Sequence, residues 1–152
     1  MQCLQSHLDS THDLGCSFLN KNMSGETNLT VLLKSMQPVL RDGEYVFCTV
    51  DHYFRDLMEL NPISFFNEDE GITLILSRQY ADAAAIPYNS VFRMITLSVH
   101  SSLEAVGFMA AIATKLSENN ISVNPISAYY HDHLFVPVDQ ADRAMKLLQQ
   151  FL

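Results

Sequence analysis

His131-Asp132-His133 places two imidazoles at alternate positions, and on an extended chain such residues share one face, as a divalent metal would need. A metal site needs at least one more ligand, and no partner cluster is visible elsewhere in the sequence. Turn chemistry accounts for Asp132, so no metal is expected. Glu68-Asp69-Glu70 sets three carboxylates in a row, the residue type of acid–base catalysis. Beside Gly71 they read instead as a solvated turn. Cys3, Cys16 and Cys48 are an odd set without paired spacing, which suits neither a disulfide framework nor zinc. Cys48 lies within an apolar strand pattern and reads as a small core residue. There is no Gly-rich phosphate loop, no G-x-S-x-G elbow and no Cys–His pairing signal. Catalysis and a cofactor are therefore not expected.

The segment 91–138 carries the remaining chemistry. Residues 91–99 alternate, with Ile95, Leu97 and Val99 on one side and Met94, Thr96 and Ser98 on the other, so a strand is predicted. Ser101 and Glu104 have the spacing of a capping box, which starts a helix running to about Glu118 with Ala105, Met109, Ile112 and Leu116 as its apolar stripe. Strands over 121–130 and 134–138 then flank a turn at His131-Asp132-His133. Strand, helix, strand, strand is the opening of a ferredoxin-like unit, whose strand-to-helix loop often holds a small molecule. Asp139 is expected to cap a last helix that turns Ala141, Ala144, Met145, Leu148 and Phe151 inward.

The first half repeats this plan less clearly. A helix capped by Asn28 is expected over 28–35, ended by Pro38. Strands follow over 44–50 and 72–76, then a short helix over 79–85. The stretch 57–66 is mixed, with Pro62 marking a loop. No strand precedes the first helix, so 91–99 must either close the first unit or open the second. Residues 1–22 show no period and read as a loose or non-native extension, with 23–90 and 91–152 as the two units.

Composition limits the partners. A hydrophobic share of 48% with 17% charged residues describes a globular chain with a real core. Nine basic against 17 acidic residues, a net charge of −8, argue against nucleic acid, which requires clustered Lys and Arg. No apolar run approaches the ~18 residues that span a bilayer, and no secretory pattern opens the sequence. A cytoplasmic location, with reduced thiols and no membrane partner, is expected.

Residues 107–116 (GFMAAIATKL) and 120–124 (NISVN), with Ile126-Ser127 and Ala141-x-x-Ala144, resemble the ACT domain, most closely the regulatory repeats of aspartate kinases. The wider pattern, from Met36-Gln37-Pro38 through 131–137 (HDHLFVP), is similar to small bacterial proteins built only of two ACT-like units. The resemblance covers about 29–152. It implies an α/β (α+β) fold of two ferredoxin-like βαββαβ ACT-type units, with antiparallel sheets and helices packed on one face. It also implies a stand-alone sensor that binds an amino acid or similar metabolite, and a homo-oligomer with sites at the seam, since uncovered sheet edges favour pairing. Carried onto matching positions, the ligand contacts are Glu104, Val106 and Gly107 in the loop and Asn124 and Ile126 on the strand. A helix start offers free N–H groups to a carboxylate. Gly107 permits close approach, and Asn124 supplies a donor and acceptors. The family usually has proline before this glycine, where this chain has Val106. That departure favours the alternative, a structural or interaction module without a ligand.

Overall fold

Asn28 begins the first helix as its spacing predicts, its side-chain oxygen accepting the Val31 N–H at 3.1 Å. The computed structural model describes residues 25–51 and 57–152; the expected extension over 1–22 lies outside them. In chain order the elements are α1 (Leu29–Ser35), β1 (Pro38–Leu40), β2 (Tyr45–Val50), β3 (Ser64–Glu68), β4 (Gly71–Ser77), α2 (Arg78–Ala83), β5 (Val91–Leu97), α3 (Phe108–Ser117), β6 (Asn124–Ser127), β7 (Asp132–Pro137) and α4 (Ala141–Leu148). Short 3-10 turns occupy Leu57–Leu60, Val138–Gln140 and Gln149–Phe151.

All strand pairs are antiparallel, in the order β3-β4-β2-β5-β7-β6. The strand that sequence left unassigned, β5, is the join. It pairs with β7 from Phe92↔Pro137 to Leu97↔Asp132, and with β2 through Tyr45↔Phe92 and Val46↔Val91. The short β1 pairs with its far end, from Pro38↔Leu97 to Leu40↔Ile95. Two ferredoxin-like units thus share one continuous sheet.

Alternation divides the side chains between its two faces. On the helical face, Leu32 and Met36 of α1 and Phe108, Ile112 and Leu116 of α3 meet Ile95, Leu97, Leu134 and Val136. Ala141, Ala144, Leu147 and Leu148 of α4 complete that cluster. A second cluster places Ala81 of α2 against Val46, Cys48, Leu74 and Leu76. On the other face Tyr45, Ile75 and Phe135 are buried with Phe47, Phe92, Met94 and Ile126 around them. Phe47 contacts the Phe92 and Phe135 rings edge-on at centroid distances of 5.4 and 5.3 Å, a favoured aromatic geometry.

Four expectations are corrected. Helix α3 starts at Phe108, not at Ser101, because the Ser101 hydroxyl is drawn away to Asp132 rather than capping the helix. The last turn of the β6–β7 hairpin is at 128–131, with Ala128 N–H donating to the His131 carbonyl at 3.2 Å, so Asp132 and His133 belong to β7. Asp139 lies in the 3-10 turn, and the cap position of α4 is Gln140, which makes no side-chain cap bond. Finally, a strand-like segment does precede α1. Glu26 bridges to Ser101 in parallel sense, its N–H donating to the His100 carbonyl and its carbonyl accepting from Ser102 N–H, each at 2.9 Å.

Candidate ligand pocket at the start of helix α3

Gly107 determines how the chain enters α3. Its φ of +90° is left-handed, a region that costs a side-chain-bearing residue. The first intrahelical bond runs from Ala111 N–H to the Gly107 carbonyl at 2.9 Å. The N–H groups of Phe108, Met109 and Ala110 therefore have no partner within the helix, as at any helix start. These three residues help line a cavity of about 140 Å3 whose lining also includes Ser101, Ser102, Gly107, Ser127 and Asp132.

Asp132 is the acidic wall of this pocket and is only 4% exposed. Ser101 Oγ donates to its Oδ2 at 2.9 Å, and Ser127 Oγ donates to its Oδ1 at 2.5 Å. Three elements meet here by register: Ser127 ends β6 directly opposite Asp132, which opens β7, and Ser101 follows β5. The ion pairs among the described residues are Arg78 with Glu44 and Arg78 with Asp82, and neither involves Asp132. Both of its carboxyl oxygens are engaged by neutral serine hydroxyls. The pocket lining thus combines the first residues of a helix with a buried acid. That polarity matches a zwitterion, with a carboxylate at the helix start and an ammonium at Asp132. His100, Tyr129 and Tyr130 cluster on the segments leading into Ser101 and Asp132, with ring centroids of 5.3 Å for His100–Tyr130 and 4.9 Å for Tyr129–Tyr130.

Of the five residues carried over from the family, the structure brings Gly107 into this lining. Glu104 is exposed, and its backbone N–H donates to Ser102 Oγ at 3.2 Å in a local turn. Val106 faces outward, 85% exposed. Asn124 lies at the opposite end of β6, across from Phe135, beside Ser90, Val91 and Pro137. Ile126 is on the other face of the sheet, packed against the Tyr45–Ile75–Phe135 cluster. Sequence reading missed Asp132, Ser101 and Ser127 as a set. The available signal was period two: Asp132, Leu134 and Val136 form one alternating row, which puts an acid on the buried face of a strand.

On the opposite face, Arg41 Nε donates to Thr96 Oγ1 at 2.9 Å, and Thr96 Oγ1 lies 3.1 Å from His133 Nδ1. Burial lowers the His133 pKa below the ordinary imidazole value, and nearby His131 and Arg41 push it further, with Asp132 opposing. Among the described residues no group of three or more His, Cys, Asp or Glu side chains converges as metal ligands.

A shared antiparallel sheet, helices on one face and a pocket at the strand-to-helix loop define a tandem pair of ferredoxin-like α+β units. ACT-domain profiles match residues 24–93 and 89–150, and the chain belongs to the ACT-domain family. A Vibrio cholerae protein of unknown function, described as a possible transport protein, is 49% identical, with 81% of this chain and 94% of that chain covered at a TM-score of 0.74. The regulatory subunit of Thermus thermophilus aspartate kinase, in a ligand-free form, shares the fold at 6% identity, covering 79% of this chain and 98% of that one with a TM-score of 0.59. Clostridium acetobutylicum aspartate kinase, an allosteric enzyme, shares it at 11% identity and a TM-score of 0.63, over 83% of this chain but 36% of its own. No curated protein matches significantly. Among the described residues no helix is long and apolar enough to cross a membrane.

Proposed function

We propose that this protein is a stand-alone regulatory sensor whose ligand is an amino acid or a similar small zwitterion, bound at the start of α3. The observation that carries this reading is Asp132, a buried carboxylate whose hydrogen-bond partners among the described residues are two serine hydroxyls, lining the same small cavity as the first residues of a helix. Membership of a family of regulatory domains, and the fold shared with aspartate kinase regulatory subunits, support sensing over catalysis. Gly107 is the contact from the original five that fits this geometry; Glu104 and Val106 would frame its mouth. Asn124 and Ile126 would contribute only through a second copy or a larger ligand. With the units divided at residue 90, the site would belong to the second, with β5 as the link to the first.

A homo-oligomer is part of the proposal. Edge strand β3 carries exposed Phe65 and Phe66, near exposed Met58 and Ile63, and an uncovered apolar edge invites pairing. The same patch favours the second reading, an interaction module that acts through its surface. Free Cys48 suits a reducing cytoplasm, and the net charge of −8 disfavours nucleic acid.

A thermal-shift screen of the proteinogenic amino acids on the full chain tests the proposal. A ligand at a hundred times its dissociation constant adds about 2.7 kcal/mol of stability. Stabilisation by one amino acid or a few, lost in Asp132→Asn, is expected. No shift by any of them at millimolar concentration would leave the interaction module as the better reading.

A further inference from the structure

A second, smaller cavity of about 110 Å3 lies across the sheet from the helix-end pocket. Ile75 comes from β4 of the first unit and Ile126 and Phe135 from β6 and β7 of the second, so both units wall it. Ser64 of β3 and His133 of β7 add the polar groups, and exposed Ala128 lies at its edge. Ile75 and Phe135 are essentially inaccessible and form its floor, while Ile63, 46% exposed, and Ala128 lie at its open rim. Strands two and six of the sheet order meet here because the sheet curls toward this face. An apolar space of this scale is unattractive to water, and cavities of ~150 Å3 accept small hydrocarbons such as benzene.

His133 gives the cavity a specific polarity. Thr96 is fully buried, and its oxygen already accepts from Arg41 Nε. Directing the one hydroxyl proton to His133 Nδ1 uses every donor once, and leaves the ring proton on Nε2. Burial lowers the pKa of that ring below the ordinary imidazole value, which favours its neutral form. The largely apolar lining thus includes an imidazole and a serine, with no carboxylate, lysine or arginine among its residues.

We propose that this cavity is a second ligand site, for a small uncharged molecule that is mostly apolar and carries one hydrogen-bond acceptor. A short cyclic ketone has that chemistry. The site is separate from the zwitterion pocket, because Asp132 and His133 are consecutive on β7 and project to opposite faces. Neither site requires the other to be real.

Cyclopentanone and cyclopentane serve as the probes, titrated into full-length protein and followed by the imidazole 15N resonances of His133 and by amide shifts. Cyclopentanone should shift His133 Nε2 saturably and bind at least tenfold more tightly than cyclopentane. Ile126→Phe fills the cavity, and Ala128→Leu narrows its edge from an exposed position that leaves folding intact. Each should weaken cyclopentanone at least tenfold. No saturable shift with either probe, or full binding retained in both folded variants, would overturn the site. Equal affinity for the two probes would overturn the donor role of His133.

Discussion

Replacing Gly107 with alanine separates conformational need from steric need at the entrance to α3. A Cβ built there would approach Leu29 Cδ2 at 3.4 Å, the far end of a flexible side chain, so space is tight but not closed. The principal cost is the left-handed backbone at φ +90°, about 1–2 kcal/mol for a residue with a Cβ. Alanine also restricts the unfolded chain, which returns about 0.4–1 kcal/mol. The net expectation is a loss of about 0.5–1.5 kcal/mol, or a fall of about 2–5 °C in Tm for a chain of this length. Equilibrium urea unfolding measures it directly, with the m-value unchanged. Gly107→Asn should lose less, since asparagine tolerates this region better. A loss above about 3 kcal/mol would show that a Cβ is sterically blocked. A gain in stability would show that Gly107 is not left-handed, and either result would refute the reasoning.

Other substitutions test the surroundings. In Gly25→Ala the new Cβ would sit 2.5 Å from backbone atoms of Ser101 and Ser102, so the segment must leave the loop; a loss of about 1–3 kcal/mol and faster amide exchange at Ser102 are expected. Asp132→Asn keeps the shape of the acid, and both serine hydroxyls can turn to suit an amide. Stability without ligand should therefore stay within about 1.5 kcal/mol of the parent, the scale of one hydrogen bond; a larger loss in chemical denaturation would contradict that. For His133 the folded pKa lies below its ordinary 6.5. The unfolded chain then binds more protons in that window, so stability declines as pH falls below about 6.5. His133→Asn should flatten that decline in a pH series of unfolding curves, and an unchanged slope would reject the assignment.

Period-two and helical patterns made much of the fold readable. Strands β2, β4, β5 and β7 alternate or are apolar throughout, and α1, α3 and α4 carry inward stripes, so their existence followed from residue order. Strand β3 was obscured because its Phe65-Phe66-Asn67-Glu68 run lies on an exposed edge and does not alternate. Strand β1 is three residues long and begins at Pro38, which reads more naturally as a helix terminator. The start of α3 was misplaced for an instructive reason. Ser101 and Glu104 have capping-box spacing, but Ser101 finds Asp132, 31 residues away, and local spacing cannot report such a partner. The same long-range contact hid the acidic side of the candidate pocket, since Asp132 is adequate as a turn residue until β6 and β7 are paired. Family resemblance led to Gly107 and to residues beside it, while Asn124 and Ile126 went to other parts of the sheet.

The zwitterion account makes its most direct commitment at backbone amides. Whichever amino acid stabilises the protein most should be titrated into 15N-labelled full-length protein, with amide shifts followed to saturation. The account predicts the largest shifts at Phe108, Met109 and Ala110, with accompanying changes at Ser127 and Asp132. It also predicts that Asp132→Asn raises the dissociation constant by more than tenfold. Saturable shifts confined to other regions, such as the Asn124 end of β6, or unchanged affinity in Asp132→Asn, would contradict it.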